Sequence, residues 1–383
     1  MDYDLGPQAG QLRVRLRALI KEHFTEDFLG AFTNDPADLA LTQEFCKTLA
    51  AEGLLALAWP TEYGGLGASI WEQAVVREEM WAHHEPRGAQ YMGVNWVGPA
   101  VMRHGTAAQK ALHLPAIAAG EVIWCQGFSE PEAGSDLASL RTRATPVAQG
   151  WSITGQKVWT SYAQMAQWCV LAACTDPDAS ASSRLTLFLV PMQRPGIMVR
   201  PIPSMLGPHH LNEVFFDDLR VSQEDVLGSV GGGWQVMRDA IAHERVGIAR
   251  YARCESLLQR LKEVLGDEWN SLPGAVRSRW TKVLIDLRVA RLLSYAAVAQ
   301  QESAGLDQAL ASLARIQVTS CDQTTAEVLV EAAGVASLSV GAEAVLHGAI
   351  DDHWRYAQAA TVSSGTIEVQ RMLVARAVLG GRA

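Results

Sequence analysis

The sequence is short of positive charge: 32 Lys and Arg stand against 41 Asp and Glu, for a formal charge of −9 over 383 residues. A field of that sign repels polyanions, which excludes nucleic acid and anionic membrane surfaces as general partners. A small polyanionic ligand would have to be met by local arginines. No apolar run approaches the length that crosses a bilayer, and the start Met1-Asp2-Tyr3-Asp4 lacks the basic and apolar segments of a secretory leader. The expectation is a cytoplasmic protein without membrane insertion. Cysteine is sparse and scattered, at Cys46, Cys125, Cys169, Cys174, Cys254 and Cys321, with no Cys-x-x-Cys pair and no histidine at a ligand-like offset. We therefore expect reduced, mostly buried thiols and no metal centre. His209-His210, beside Pro208, lacks a carboxylate pair and reads as loop. There is no internal repeat, and the one low-complexity patch, Asp176–Ser183, reads as a flexible loop.

What is present is a large apolar fraction, 49%, with 19% charged residues, enough for a sizeable core in two or three compact units. Residues 1–122 carry helical periodicity. From Gln8 to Phe28, Leu12, Leu16 and Ile20 recur every four residues with Arg13, Arg15 and Arg17 between them. A second helix is predicted from Asp38 to Glu52, ending at Gly53, and others over Ser69–His84 and Thr106–Ala119. Between them, Pro60–Gly67 is a glycine-rich loop.

Over residues 123–235 the pattern changes to short β-branched and aromatic runs separated by turn residues. Strands are predicted at Trp151–Ile153, Val158–Thr160, Trp168–Leu171, Leu185–Val190, Met198–Ile202 and Glu213–Phe216, forming an antiparallel β-domain. Helical periodicity returns over residues 236–383. Helices, strands, then helices imply an α+β protein of three domains, 1–122, 123–235 and 236–383.

One segment is unusually specific: Trp124-Cys125-Gln126-Gly127-Phe128-Ser129-Glu130-Pro131-Glu132-Ala133-Gly134-Ser135-Asp136, followed by Gly155-Gln156-Lys157-Val158-Trp159-Thr160-Ser161. Taken singly, Trp159 would be a core tryptophan and Ser129 and Ser135 turn residues. Together they resemble the flavin-contacting stretches of the acyl-CoA dehydrogenases. The loop at Pro60–Gly67, Gly105-Thr106-Ala107-Ala108-Gln109-Lys110, Leu114-Pro115 with Gly120-Glu121, Leu227-Gly228 with Gly232-Gly233-Trp234, and Ser364-Gly365-Thr366-Ile367-Glu368-Val369-Gln370-Arg371 extend the likeness over nearly the whole chain in family order. The resemblance implies FAD as cofactor, an acyl-CoA substrate, and an electron-transferring flavoprotein or similar acceptor. It implies that Gln126, Phe128 and Ser129 line the pyrimidine side of the ring. Trp159 would cover the ring, Ser161 would reach toward N5, Thr366 would also contact the cofactor, and Ser135 would sit where flavin and thioester meet.

The family reaction takes a proton from the α carbon while a hydride leaves the β carbon, so a carboxylate is needed. Most members carry a glutamate just before the Gly-Thr of the last motif, where this chain has Ser364. In Ala242-His243-Glu244-Arg245, however, Glu244 matches the minority that carry the base on an earlier helix, directly before an arginine. Val236, Ala240, Glu244 and Ile248 form one row at four-residue spacing, so the carboxylate would leave an apolar face, where its pKa would be raised. The alternative is that Glu244 pairs with a charge from another helix. The resemblance further implies that the backbone N–H of Ser364 holds the thioester carbonyl, that Arg245 orders the acyl pocket and that Gly365 allows close approach. Glu368 reads as structural or flavin-side.

Two family features are missing. No phenylalanine follows Phe216, so the Arg-x-x-Phe-Gly motif that serves a neighbouring subunit's FAD is absent, and the Gln-x-x-Gly-Gly-x-Gly stretch is reduced to Val328–Gly334. Gly266–Pro273 reads as a loop interrupting a helix. The resemblance therefore implies a hetero-oligomer with a related chain, with a homo-oligomer as the alternative. Two other activities remain open on sequence: a non-catalytic partner subunit, and a flavin monooxygenase or oxidase on the same fold.

Overall fold

The computed structural model describes residues 5–30, 35–205, 210–239, 249–303, 307–341 and 343–380. By packing, the chain forms two compact units. One combines Met1–Ala31, Ala68–Pro86 and Glu244–Ala383, and the other Phe32–Gly67 with Arg87–His243.

The N-terminal helices are α1 (Gly6–His23), α2 (Pro36–Ala51), α3 (Ile70–Ala82), α4 (Gln90–Met92), α5 (Gly98–His104) and α6 (Ala107–Ala118). Their ends are written in the sequence. Asp35 caps α2, accepting from Ala37 N at 2.8 Å, and Gly53 follows α2 at φ +70°. Ser69 with Glu72, and Thr106 with Gln109, close reciprocal capping boxes on α3 and α6. In the predicted Pro60–Gly67 loop, a Cβ on Gly65 would come within 2.0 Å of the Trp59 carbonyl oxygen, so only glycine fits.

The sheet comprises β1 (Trp124–Gly127), β2 (Arg143–Val147), β3 (Gly150–Lys157), β4 (Trp168–Cys174), β5 (Leu185–Pro191), β6 (Ile197–Pro201), β7 (Asn212–Val221) and β8 (Val226–Leu227). The order is β6-β7-β3-β2-β4-β5-β8, with β1 added alongside β4. Most pairings are antiparallel, but β1 runs parallel to β4 with Cys125 opposite Cys169, and β2 meets β4 in parallel at one residue pair. One predicted strand is corrected: Val158–Thr160 is not a strand, because Trp159 adopts φ +58°, outside the extended region.

After a helical stretch at residues 233–239, the second helical set is α7 (Arg250–Leu265), α8 (Gly274–Ser303), α9 (Gln308–Ala333), α10 (Ala349–Ala360) and α11 (Ile367–Leu379). The predicted break between α7 and α8 is a 3₁₀ turn, Gly266–Ser271, entered at φ +48°. Helix α9 packs against α7, α8, α10 and α11 and forms the centre of this unit. All six cysteines are free and buried. Cys254, Asp322 and His353 bring potential ligand atoms within 4.8 Å of one another, but Arg250 already holds Asp322 at 2.9 Å. A cation there would also meet the guanidinium of Arg253, whose charge bears on His353. Among the described residues, no helix is long and apolar enough to cross a membrane.

The helical unit is pinned by a buried carboxylate. Glu78 on α3 is 2% exposed and accepts from Tyr251 Oη at 2.8 Å and Tyr295 Oη at 2.9 Å, with Arg13 bonded to it and Arg291 Nε at 3.5 Å. Glu79 beside it holds Arg13 and Arg17 of α1 at 2.8 and 2.7 Å. These bonds connect α1, α3, α7 and α8, and removing the carboxylate leaves two buried hydroxyls without their acceptor and Arg13 and Arg291 each with one carboxylate partner fewer. Glu78→Ala is expected to destabilise this unit by about 3–5 kcal/mol. Tyr251→Phe, which removes one hydrogen bond to a charged group, should cost about 1.5–3 kcal/mol. Urea unfolding of both variants checks the ranking.

Candidate active site

The specific segment identified in the sequence folds into the rim of the sheet. Strand β1 ends at Gly127, and the chain continues through Phe128 and Ser129 to Glu130, which forms a one-residue bridge with Ala133. Alongside, β3 ends at Lys157. Its ammonium is fully buried, donating to Glu130 Oε1 at 2.7 Å and to the Phe128 carbonyl at 3.0 Å. Glu130 also accepts from the backbone N–H groups of Arg141 at 2.6 Å and Thr142 at 2.8 Å. Val158 N donates to the Ser129 carbonyl at 2.9 Å. The two motif segments, 27 to 29 residues apart at these bonds, are thus tied side by side. Gly127 makes this possible: a Cβ there would lie 3.4 Å from Cγ of Lys157 and closer still to Leu171 and Cys169.

Beyond Lys157 the chain turns along the start of β7. Thr160 N donates to the Asn212 carbonyl at 2.9 Å and Tyr162 N to the His210 carbonyl at 2.6 Å. Val158, Thr160 and Tyr162 are buried, whereas Ser161 is half-buried and Trp159 is 59% exposed. Trp159 and Tyr162 both have positive φ, +58° and +61°, which is rare for bulky residues and persists only where neighbours impose it. The reading of Trp159 as a core tryptophan is therefore excluded. The buried Oγ1 of Thr160 finds no hydrogen-bond partner among the described groups. An exposed indole on a constrained backbone beside an unsatisfied buried hydroxyl suits a flat ligand rich in heteroatoms, and a flavin ring fits that description.

Of the other predicted residues in this unit, Gln126 is half-buried on β1 between buried Cys125 and Gly127, and Phe128 and Ser129 are half-buried. Ser135 is exposed on the following loop. In the helical unit, Ser364 and Gly365 take consecutive left-handed angles, φ +56° and +90°, just before α11. Thr366 is the N-cap of α11, accepting from Val369 N at 3.3 Å, so its oxygen has a structural role there. Glu368 is exposed in the first turn of α11. Glu244 and Arg245 lie outside the described residues, as do Pro208 and His209 of the histidine loop.

Sequence reading missed Lys157 and Glu130 as a pair. The available signal was two opposite charges inside otherwise apolar and small-polar motifs, which is unusual unless they meet. Burial pushes the Lys157 ammonium down from 10.5 to about 8, although Glu130 opposes the shift. Burial pushes Glu130 up, but the Lys157 charge and hydrogen bond, with the two backbone donors, outweigh it and leave the carboxyl below its ordinary range.

Sequence profiles described as the N-terminal, middle and C-terminal domains of acyl-CoA dehydrogenases match residues 9–121, 125–219 and 231–379. The chain is 32% identical over 395 residues to acyl-CoA dehydrogenase IpdE1 of Mycolicibacterium smegmatis, covering 97% of each protein. It is 38% identical over 333 residues to acyl-CoA dehydrogenase FadE34 of Mycobacterium tuberculosis, where 87% of this chain spans only 45% of the relative. Among solved structures, the Tcur3481-Tcur3483 steroid ACAD is similar with a TM-score of 0.92 and 30% identity over 99% of each chain. The ChsE4-ChsE5 complex from Mycobacterium tuberculosis gives 0.88 and 28% over 100% of each chain. These solved folds share the helical, β-sheet, helical order of the present chain.

Replacing Lys157 with Met strands Glu130 and is expected to cost about 3–5 kcal/mol at neutral pH. The pH dependence separates the pair from simple packing. Lys157 has a lowered folded pKa, so from about 8 to 10.5 the unfolded chain holds more protons and this group makes stability rise with pH. Glu130 contributes above its ordinary 4.5 and loses that contribution as pH falls through its lower folded value. Denaturant midpoints between pH 7 and 10 should show a rise in the native protein that Lys157→Met lacks; parallel profiles would contradict the assignment.

Proposed function

Because the chain belongs to the acyl-CoA dehydrogenase family, we propose that it oxidises an acyl-CoA thioester between its α and β carbons, with FAD on the sheet rim and Glu244 as the base. The observation that carries the reading is the rim itself: Trp159 exposed on a left-handed backbone, anchored by the buried Lys157–Glu130 pair beside the unsatisfied Thr160 hydroxyl. FAD, when bound, supplies the hydride acceptor for the β carbon. Gln126, Phe128 and Ser129 would hold the ring's polar edge, Trp159 would cover its face and exclude water, and Ser161 would serve the reacting nitrogen. Ser135 would meet both cofactor and thioester.

Glu244 takes the α proton. By sequence spacing it falls in one row with Val236 and Ala240, an apolar face on which a carboxylate's pKa would be raised toward that of a base. Ser364 cannot take that role but keeps the backbone N–H that holds the thioester carbonyl. Gly365 leaves room for the thioester, and Arg245 orders the acyl pocket. Electrons would leave to an electron-transferring flavoprotein or a similar acceptor. With serine in place of glutamate at position 364, the acyl site is roomier there, which suits branched or bulky acyl groups. The similarity to a protein described as a steroid ACAD favours a steroid side chain within that class.

The same reading includes a related chain as partner. Arg250 and Arg253 are the arginines near the start of α7 that could replace the missing pyrophosphate ligand. Both are buried and engaged within their own unit, Arg250 with Asp322 and Tyr356, Arg253 with Asp352. The stretch following α9 exposes Val335, Leu338 and Val340 at 85%, 75% and 67%, an apolar surface suited to burial by another chain. An α2β2 particle with flavin at half its positions satisfies both features, and the similar ChsE4-ChsE5 structure is described as a complex.

Glu244→Gln keeps the side-chain volume and removes the base. Substrate-driven flavin reduction should fall by about 10²–10⁴-fold while FAD binding is retained. Ser364→Ala should be mild. Near-normal turnover of Glu244→Gln would move the base elsewhere. For assembly, the chain expressed alone is expected to carry less than one FAD per subunit and to gain flavin on mixing with the partner. A homotetramer with one tight FAD per chain, active by itself, would contradict the heteromeric reading.

A further inference from the structure

The turn that carries Ser364 is held from behind by a buried cation. Arg315, on α9, is 3% exposed at the centre of the helical unit. One of its terminal nitrogens donates to the carbonyls of Ala360 at 3.2 Å and Ser363 at 2.7 Å. Ala360 is the last residue of α10, so its carbonyl is one that the helix cannot satisfy internally. That bond alone would be an ordinary helix-end contact. Ser363 is different, because it lies three residues beyond α10, in the turn leading to α11.

A peptide unit is planar and trans, so its C=O and N–H point in opposite directions. The carbonyl of Ser363 and the N–H of Ser364 belong to one such unit. Drawing the Ser363 oxygen toward Arg315 turns the Ser364 N–H away from the guanidinium. The next residues repeat the device more weakly: Gln370 Nε2, in a fully buried side chain on α11, approaches the Gly365 carbonyl at 3.4 Å. Ser363 N to Ala359 O at 3.0 Å and Ile367 N to Thr361 O at 2.9 Å brace the same turn. Between these anchors Ser364 holds φ +56°, a left-handed angle that a serine keeps only when its surroundings impose it.

We propose that Arg315 is a positioning residue for the thioester carbonyl, acting through the Ser363–Ser364 peptide to aim and polarise the Ser364 N–H. The inference rests on the reading of Ser364 given above. As the α proton leaves, negative charge grows on the thioester oxygen, and a donor aimed at that oxygen gains strength at that moment. A charge-assisted bond on the far end of the same peptide strengthens its N–H as a donor, since linked hydrogen bonds polarise one another. Arg315 therefore acts on the rate of α-proton removal more than on acyl-CoA affinity. Because a single nitrogen serves both carbonyls, a lysine ammonium can replace it in part.

The test compares native protein, Arg315→Met and Arg315→Lys, each loaded with FAD and assembled as the native particle. An acyl-CoA carrying carbon-13 at the thioester carbonyl is bound, and its C=O stretch is read by infrared difference spectroscopy. The native protein should lower that frequency. Arg315→Met should lose most of the shift, with kcat down about tenfold to hundredfold, KM within a few-fold and flavin content unchanged. Arg315→Lys should recover part of both. A native-like frequency and kcat in Arg315→Met, with only a lowered Tm, would reduce Arg315 to a helix clamp and overturn the proposal. If Arg315→Met does not fold, Arg315→Lys and Arg315→Gln carry the same comparison, and an unchanged frequency in both overturns it equally. Failure of the parent reading is separately visible, because the carbonyl shift does not require Glu244 to be the base.

Discussion

The buried bond between Lys157 and Glu130 is the constraint from which the sheet rim follows. An ammonium with no exposure is tolerated only where its donors are used, and here they are used on a carboxylate and on the Phe128 carbonyl. The carboxylate in turn fixes the backbone of Arg141 and Thr142, at the approach to β2. One ion pair thus sets the end of β3, the segment after β1 and the entry to β2. Trp159 can be both strained and exposed because the residues on either side of it are fixed by this arrangement and by the start of β7.

The helical unit uses a parallel economy of charge at two places. Glu78 gathers Arg13, Tyr251, Tyr295 and Arg291, so α1 and α3 are bonded to α7 and α8. Arg250, Arg253 and Arg315 are each turned inward from α7 and α9, toward carboxylates, a tyrosine and the carbonyls near α11. Cations committed to the interior are not available for a pyrophosphate, which supports the proposal that another chain supplies that ligand. The same inward turning ties the left-handed Ser364–Gly365 turn to a buried donor through the Ser363 carbonyl.

Much of this was legible in the chain. The predicted starts at Ser69 and Thr106 and the stop at Gly53 match the ends of α3, α6 and α2, where capping chemistry is local and needs no tertiary information, whereas the predicted start at Asp38 missed the Asp35 cap of α2. Gln126, Phe128, Ser129 and Trp159, singled out by the resemblance to the acyl-CoA dehydrogenases, lie along the rim. Strand Val158–Thr160 was misread because its β-branched and aromatic composition is that of a strand, whereas long-range bonds to Ser129 and Asn212 impose a left-handed turn. Strands β1 and β2 were not predicted; β1 pairs in parallel with a strand more than forty residues away, which no local pattern reveals. Arg315 left no local trace at all: it sits in an ordinary helical pattern, and its role exists only through Ser363, 48 positions later.

The central claim is that the chain binds a flavin that an acyl-CoA thioester can reduce. It is tested most directly by anaerobic titration of the FAD-loaded particle with a panel of straight, branched and steroid side-chain acyl-CoAs, following the visible absorbance of the flavin. The account predicts stoichiometric bleaching by at least one bulky thioester, with the α,β-unsaturated product recovered. A flavin that binds tightly yet stays oxidised with every thioester, while free electron donors reduce it readily, would contradict it.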